Sequence, residues 1–530
     1  MNKELFVIEA PGKIKSFKGL LAQLDIHAEV QATGGHLYNF SQDLNVLGID
    51  EKFQEIGREL RSDKAVFFLR KAAREADKIY VATDADEEGD GIAWDVHELV
   101  KDLCPNILRV KLRGMDKDSI SEALENAYPV SKLEAAPSRT RAMVDRLIGH
   151  SFSKDGVGVG RVSSGLLGLI HKSDGNITAT RVKLTAPSTD GDAPWIAYFD
   201  TNKLVSKSTA DKLASLPFPA LKMTQKGMPS NAALNMGDIM VKASDDLGMT
   251  PKETAKSLQN LYETGQMSYP RAGSRGVSKA AQRKLKRLMK KSGYKSDAEK
   301  VREKEASEVH DAPYPMGDVD ISKNPEKLGD DAGVKTIVAR HYVKKGLNRH
   351  AEKAGTKVIF DFLIRENFSK EIATFIAKLN WTRELGPRVP GEKTFVDSEV
   401  IERMPEAALM EKAVKMNLGR PSTWANHIET FCERGLTDDD LQLTDKGRKW
   451  VQSTPAPLLD PRLSGKIEAA CSAVLPAMET SMDREPWEIL AEAIVEKLPE
   501  ELKSQMRENL SPERPDHEAS YAKDIERADP

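Results

Sequence analysis

The chain has 530 residues, of which 39% are hydrophobic and 30% charged, and its formal net charge is −3. These values predict a core-forming protein of three or four domains and exclude a disordered chain, and no apolar stretch approaches the ~20 residues that a bilayer-spanning helix needs. Only three cysteines are present, far apart, which excludes a disulfide framework or a four-cysteine zinc site and favours a reducing cytoplasm.

The first 130 residues alternate short apolar runs with helical patterns. Such alternation predicts a mostly parallel sheet with both faces covered, whose ligands bind at the carboxyl ends of the strands. Glu9 and the acidic run that begins at Asp84 fall at such ends. Strands are predicted at Glu4–Glu9, Ala28–Ala32, Lys78–Ala82 and Leu108–Leu112, and helices at Ile14–Leu24, Gly91–Leu103 and Lys117–Asn126.

Longer helices separated by irregular segments follow residue 135. The best-marked helix is Thr250–Gly265, where Thr250 and Glu253 form a capping box. The next segment, Arg271–Lys300, is strongly basic, with eleven Lys or Arg residues against two acids. Other predictions are a flexible junction at Asp155–Gly160, strands within Thr178–Leu221 and Lys353–Arg365, helices within Ala407–Leu498, and an acidic, disordered tail over 501–530.

Carboxylates crowd the turn after the strand predicted at Lys78–Ala82. Asp84 and Asp86 alternate there and Glu88 follows two residues later, so the three side chains can converge on one hard cation. Mg²⁺ prefers oxygen ligands and keeps several waters, so two or three carboxylates suffice, and Glu9 can join from the neighbouring strand. A solvated acidic turn is the alternative, but crowded carboxylates repel each other unless a cation neutralises them.

A tyrosine follows the capped helix, at the head of the basic segment. Tyr269 can attack phosphorus covalently while Arg271 holds the non-bridging oxygens, although an ordinary tyrosine pKa near 10 means that proton transfer is required. A structural loop followed by a solvated basic helix is the alternative. Lys13, after a Pro-Gly turn, is placed either for a phosphate or simply in a turn, and His310 either handles protons or packs in the core.

Five segments taken together, in this order, resemble the motifs of type IA DNA topoisomerases over about residues 3 to 500. Each motif is moderately specific alone, and five collinear ones are strongly so. The segments are 7–13 (VIEAPGK), 82–94 (ATDADEEGDGIAW), 141–146 with 160–164 (RAMVDR and GRVSS), 267–274 (MSYPRAGS) and 419–425 (GRPSTWA).

The resemblance implies a fold class: an α/β Toprim domain joined to a multidomain, mainly-α toroidal core with a β-rich hinge domain. It also implies domain bounds, and no zinc-ribbon tail is expected. The predicted units are Toprim 1–130, a helical gate segment 131–177, the hinge 178–225 with 353–405, the active-tyrosine domain 226–352, a helical DNA-binding domain 406–500, and the tail 501–530.

By the same resemblance, Tyr269 would form a 5′-phosphotyrosine link, Arg271 would steady it, Glu9 would act at the leaving 3′-oxygen and Lys13 would stabilise the developing charge. His310 would belong to the hydrogen-bond shell of the site. The metal ligands would be Asp84, Asp86 and Glu88, holding Mg²⁺ or alternatively Mn²⁺. The residues that contact or position DNA would be Arg141, Asp145, Arg146, Arg161, Arg420, Ser422 and Thr423.

The chain also departs from the family at several positions. Glu87 stands beside the metal carboxylates where the family has Arg, and Ala142 and His150 stand at positions that help to read the bases upstream of the cut. The reaction implied by the resemblance cuts one DNA strand, passes another through and reseals the first, and it either relaxes negatively supercoiled DNA or decatenates DNA. The expected substrate is single-stranded or negatively supercoiled DNA. The expected enzyme is a monomer that needs no ATP, contacts no membrane and is nucleoid-associated in the cytoplasm of a bacterial or phage-infected cell. Two rival hypotheses are a Toprim primase or nuclease, which would not need the tyrosine motif, and a non-catalytic DNA-binding paralogue.

Overall fold

The computed structural model describes residues 3–154, 158–173, 177, 179–305, 310–392, 396–473 and 484–510. Its N-terminal part is a layered α/β unit. The elements are β1 (Glu4–Ile8), α1 (Ile14–Gln23), β2 (Glu29–Ala32), β3 (Tyr38–Phe40), β4 (Arg58–Leu60), α2 (Asp63–Arg74), β5 (Lys78–Val81), α3 (Glu87–Val100), β6 (Ile107–Arg109), α4 (Lys117–Glu125) and β7 (Tyr128–Pro129).

The main sheet has the strand order β2-β1-β5-β6-β7, parallel except for β7, and β3 pairs with β4 in a separate hairpin. Alternate residues of β1 pack into two hydrophobic clusters, one on each face of the sheet: Leu5 packs with α2 and α3, whereas Phe6 packs with α1 and α4. Both faces are therefore covered, as a parallel sheet requires. The predicted parallel sheet is confirmed, although α3 begins at Glu87, four residues before the predicted start, because Asp86 caps it.

A second region is mainly helical and leads into and out of another sheet. Its buried residues form the largest hydrophobic cluster in the described chain. In chain order, the helices and strands of residues 132–346 are α5 (Lys132–Phe152), α6 (Arg161–Lys172), β8 (Thr180–Ala186), β9 (Trp195–Asp200), α7 (Lys207–Ala214), β10 (Met223–Gly227), α8 (Met236–Leu247), α9 (Pro251–Glu263), α10 (Lys279–Lys291) and α11 (Asp330–Gly346). The capping box of Thr250 and Glu253 opens α9 as predicted.

The second sheet is antiparallel, with the order β10-β11-β12-β9-β8-β13, and joins two separate stretches of sequence. The strand predicted over Lys353–Arg365 is wrong beyond Ala354, because the buried Ile359 and Leu363 are spaced four apart and fit a helix. The elements of this stretch are β11 (His350–Ala354), α12 (Lys357–Arg365), α13 (Lys370–Ala377), β12 (Thr382–Leu385) and β13 (Glu399–Glu402).

The C-terminal part is helical as predicted, with α14 (Pro405–Lys415), α15 (Pro421–Glu433), α16 (Asp445–Ser453), α17 (Pro461–Cys471), α18 (Pro486–Glu496) and α19 (Glu500–Glu508). The disordered tail predicted from 501 is wrong over its first residues, because α19 buries Leu502 and Met506.

The rest of that tail, 511–530, and residues 155–157 of the predicted junction lie outside the described residues. The domain bounds and the toroidal shape stay predictions. No helix in the described ranges is long and apolar enough to cross a membrane.

Candidate active site

Two parallel strands place the predicted carboxylates at one edge of the first sheet. β1 and β5 are neighbours in parallel register, with Val7 opposite Val81, so the chain leaves both strands on the same side. Glu9 follows β1, and Asp84 and Asp86 follow β5. Both aspartates are buried, and Asp86 is fixed because its carboxylate accepts a 2.7 Å hydrogen bond from the Gly89 backbone N–H at the start of α3.

The loop between α9 and α10 brings Tyr269 to this edge. Its backbone N–H donates to the Arg113 carbonyl at 3.1 Å, and its hydroxyl donates to the Asp86 carboxylate. The neighbouring Ser268 and Tyr314 hold the loop through two mutual hydrogen bonds of 2.9 Å. Only 5% of Tyr269 is exposed, so the phenol is enclosed against the carboxylates. We call Glu9, Lys13, Asp84, Asp86 and Tyr269 the tyrosine site.

A second tyrosine, which the sequence analysis did not assign, belongs to the same arrangement. The Tyr262 hydroxyl donates to Asp84 at 2.8 Å, and its ring lies 5.5 Å from the Tyr269 ring, edge to face. Lys13 reaches this pair as well, because its Nζ lies 3.8 Å from Asp84 Oδ1 and 4.6 Å from the centre of the Tyr262 ring. The sequence offered one signal for Tyr262: it is a tyrosine at the end of a capped helix, about one turn before the active-tyrosine motif.

Burial, with a further contribution from crowded carboxylates, dominates the electrostatics of the tyrosine site. Burial, together with Asp84 and Asp86, raises the pKa of Glu9 to about 7 against the opposing pull of Arg271 and Lys13. Burial is also the main reason why the pKa of Asp84 is raised. Burial and the two aspartates hold the pKa of Tyr269 well above its usual 10, although Arg271 opposes them. The phenol is therefore neutral and acts as a donor at neutral pH.

His310 lies on the other side of Tyr269, with the ring centres 5.7 Å apart. Burial lowers its pKa to about 4, so the imidazole is uncharged at neutral pH. No hydrogen bond joins it to another described residue, and the predicted place in the hydrogen-bond shell stays a prediction. Arg271 is exposed at the solvent side of the site.

The next two acids, at the start of α3, lie in an environment where cations compensate their charge. Glu88 accepts hydrogen bonds from Ser138 at 2.7 Å and from Arg141, and it pairs with His36 at 2.9 Å. Despite burial, the pKa of Glu88 is well below its usual range, because His36 and the nearby arginines stabilise the carboxylate. Glu87 accepts from Arg141 at 2.6 Å and from Arg420.

Three arginines from separate helices converge on one further carboxylate, Glu468 of α17. Arg141 of α5 lies 2.9 Å from it, Arg161 at the start of α6 3.0 Å, and Arg420 before α15 2.9 Å. Arg161 also pairs with Asp145 at 2.9 Å. The arginines outweigh burial and lower the pKa of Glu468 to about 2. We call this set the arginine–glutamate cluster: Arg141, Arg161, Arg420, Glu87, Glu88 and Glu468.

The other residues predicted to contact DNA are held locally. Arg146 donates to backbone carbonyls of Asp43, Val46 and Leu47, and it is buried. At the start of α15, Thr423 donates to the Arg420 carbonyl at 3.0 Å and Ser422 is half-buried. These positions do not themselves test DNA contact. Arg141, Arg146 and Arg161 would each have to release protein partners before their side chains could bind a phosphate.

A divalent cation fits part of the predicted ligand set. Asp84 and Asp86 offer hard carboxylate oxygens beside Glu9, and the raised pKa of Glu9 reports a repulsion that a cation would relieve. Among the described residues, no group of three or more His, Cys, Asp or Glu side chains is arranged around a metal position. Glu88 is engaged by His36, Ser138 and Arg141, and its role as third ligand stays a prediction.

Comparison with known families gives two matches that together cover most of the chain. A model described as DNA topoisomerase matches residues 131–477, and a Toprim domain model matches residues 4–113. The first match disfavours the Toprim primase or nuclease hypothesis, because such an enzyme would not need this core.

Individual relatives are similar over most of their length. DNA topoisomerase 1 of Aquifex aeolicus is 25% identical over 488 residues, covering 82% of this chain and 87% of the relative. DNA topoisomerase 1 of Campylobacter jejuni is 23% identical over 511 residues, covering 84% and 71%. The fold is similar to that of full-length topoisomerase I from Thermotoga maritima, with a TM-score of 0.60 at 17% identity over 96% of this chain and 90% of that one.

Proposed function

The chain belongs to the type IA DNA topoisomerase family, and we propose that it relaxes negatively supercoiled DNA by cutting one strand with Tyr269. The cut strand would remain attached as a 5′-phosphotyrosine while a second strand passes through the break, and the first strand would then be resealed. No ATP is required, because the covalent link retains the energy of the phosphodiester bond. The observation that carries the proposal is the buried Tyr269 hydroxyl hydrogen-bonded to Asp86 at the strand edge.

In the cleavage step, Tyr269 Oη forms a bond to phosphorus and the bond from phosphorus to the 3′-oxygen breaks. The phenolic proton passes to Asp86, which already accepts it as a hydrogen bond. The leaving 3′-oxygen takes a proton from Glu9, whose pKa of about 7 leaves a share of the carboxyl groups protonated at neutral pH. Religation is the reverse of these transfers, so Asp86 returns the proton to the phenol.

Cations beside the tyrosine balance the charge that develops on the phosphate. Lys13 lies next to Asp84, and Arg271 lies at the exposed side, where a strand would arrive. Bound Mg²⁺ or Mn²⁺ at Asp84 and Asp86 would supply Lewis-acid neutralisation of the same charge. We therefore expect chelation to reduce turnover.

The test is relaxation of a negatively supercoiled plasmid with Mg²⁺ and without ATP, comparing the wild type with Tyr269→Phe. The matched control is Tyr314→Phe, which removes the hydroxyl of another buried tyrosine lining the same small cavity. We expect stepwise relaxation by the wild type and the control and none by Tyr269→Phe.

Relaxation by Tyr269→Phe would assign the nucleophile elsewhere. Binding of single strands without relaxation by any of the three proteins would favour the non-catalytic paralogue.

A further inference from the structure

The arginine–glutamate cluster is built on Glu87 and Glu88, the first two residues of α3, which directly follow Asp86. It joins α3 of the Toprim unit to four helices of the core: α5, α6, α15 and α17. Tyr269 itself joins the same two parts through Asp86. Because the phenol is only 5% exposed, a DNA phosphate can reach it only when this interface has opened.

Within the cluster, the contacts around Glu468 have the form of an oxyanion site. Guanidinium groups from three helices approach two carboxylate oxygens at 2.9–3.0 Å, which is the recognition that arginine also gives to phosphate. Arg161 and Arg420 stand at the starts of α6 and α15, and the residue preceding each helix supplies no side-chain cap.

The occupant of this site is a side chain of the protein itself. Glu468 keeps 18% of its side chain exposed, whereas Arg141 and Arg161 are almost completely buried. A strand that enters from solvent would therefore meet Glu468 and the 28% exposed Arg420 first, with Arg141 and Arg161 behind them. Glu87 occupies the inner side of the same arginines, through Arg141 and Arg420.

We propose that Glu468 stands in for a DNA phosphate, so that single-stranded DNA binds by displacing this carboxylate from Arg141, Arg161 and Arg420. The inference rests on the proposed function. It adds that the Glu468 carboxylate competes with DNA phosphate for the same three arginines. Entry of the strand is coupled to loss of the ion pairs by which Glu468 joins α17 to Arg141, Arg161 and Arg420 of the core. Glu87 still pairs with Arg141 and Arg420 and joins the Toprim unit to the core. Glu468 is a positioning residue in this scheme and takes no part in proton transfer.

The test measures binding of fluorescent oligothymidylate by anisotropy in the Tyr269→Phe background, where no covalent product can form. Replacing Glu468 by Gln keeps the shape of the side chain and removes the competing charge, so we expect about tenfold tighter binding. The dependence of Kd on salt should also become steeper, because the variant has one more uncompensated cation for phosphate.

The matched control is Glu411→Gln, because Glu411 of α14 is also a carboxylate shared by two arginines, Arg181 and Arg403, but it lies outside the arginine–glutamate cluster. It should leave Kd unchanged. If the role of Glu468 is purely structural, Glu468→Gln should lower the melting temperature and leave DNA binding equal or weaker. That result would overturn the proposal. If Glu468→Gln does not fold, Glu468→Asp replaces it: the shorter side chain cannot span three arginines and should tighten binding by a smaller factor, and an unchanged Kd would again contradict us.

Failure of this inference can be told apart from failure of the proposed function. The wild type is incubated with the same oligothymidylate, and the covalent adduct is measured on a denaturing gel. If the adduct forms but Glu468→Gln leaves Kd unchanged, only the proposal that Glu468 competes with DNA is refuted. If neither the adduct nor binding is observed, both the proposed function and this inference are refuted.

Discussion

Two groups of carboxylates only a few residues apart on one strand–helix turn have opposite electrostatic environments. Asp84 and Asp86 lie with Glu9 among other acids, and burial raises the pKa of Asp84 and Glu9. Glu87 and Glu88 lie among arginines, and the pKa of Glu88 is lowered although it is also buried. Burial therefore does not by itself decide what a carboxylate does.

The difference separates chemistry from assembly. Groups whose charge is uncompensated can take up or release a proton near neutral pH, which catalysis requires. Groups whose charge is fully paired stay ionised and hold helices in place, and breaking one pair leaves a buried charge without its partner. We infer that the tyrosine site performs the reaction and that the arginine–glutamate cluster controls access to it.

The largest effect should come from comparing Asp86→Asn with Glu88→Gln. The first variant loses the acceptor of the phenolic proton, so single-turnover cleavage of an oligonucleotide should slow by about 10³-fold. The second should slow cleavage by less than about tenfold, because Glu88 does not touch Tyr269. Both are measured in chelator, so that any role in holding a metal does not enter. Equal losses of cleavage rate in the two variants would contradict the assignment of Asp86 to catalysis and of Glu88 to assembly.

A smaller effect, with a pH signature, is expected for Glu9→Gln. Its raised pKa keeps the carboxyl protonated below about 7, and the leaving oxygen needs that proton. Wild-type cleavage should therefore fall as pH rises through about 7. The Gln variant should be about 10²-fold slower and lack this falling limb. A limb that persists in the variant would assign the proton donor elsewhere.

Tyr262→Phe sharpens the comparison inside the tyrosine site. It removes the 2.8 Å hydrogen bond to Asp84 but keeps the nucleophile. A hydrogen bond to an ionised group is worth about 1.5–3 kcal/mol, so cleavage should slow by roughly tenfold while the covalent adduct still forms. Loss of the adduct would mean that Tyr262, not Tyr269, attacks the strand.

The smallest effect on activity belongs to Glu411→Gln in α14. Arg403 lies 2.8 Å from Glu411 and is almost completely buried, so unfolding should become easier by about 1–3 kcal/mol, while relaxation is unchanged. The pKa of Glu411 is lowered to about 2, so the stabilisation is present above its ordinary value of 4.5 and is lost as pH falls below it. Chemical denaturation at neutral and acidic pH measures this difference.

Features encoded by neighbouring residues could be predicted from the sequence. The strand ends that carry Glu9 and Asp84 followed from apolar runs with short spacings, and the helix before Tyr269 followed from its capping box. The helix at Lys357–Arg365 was missed because its β-branched and aromatic residues favour strands locally, whereas packing of one face decides the structure.

Features that depend on tertiary packing could not be predicted. Glu468 meets Arg141 across more than 300 residues of sequence, and no local pattern sets the register of α17 against α5. Glu87 was noted as a departure from the family, but its pairing with Arg420 could not be read from that change. The engaged state of Glu88 likewise depends on His36, which lies on a loop distant in sequence.

The central claim is tested most directly by mapping the covalent product. Wild-type protein is trapped on a single-stranded oligonucleotide with denaturant, digested, and its nucleotide-linked peptide sequenced by mass spectrometry. Our account predicts a 5′-phosphate on Tyr269, formed by the wild type and by Glu468→Gln and absent from Tyr269→Phe. A link at any other residue, or cleavage that leaves no link, would contradict it.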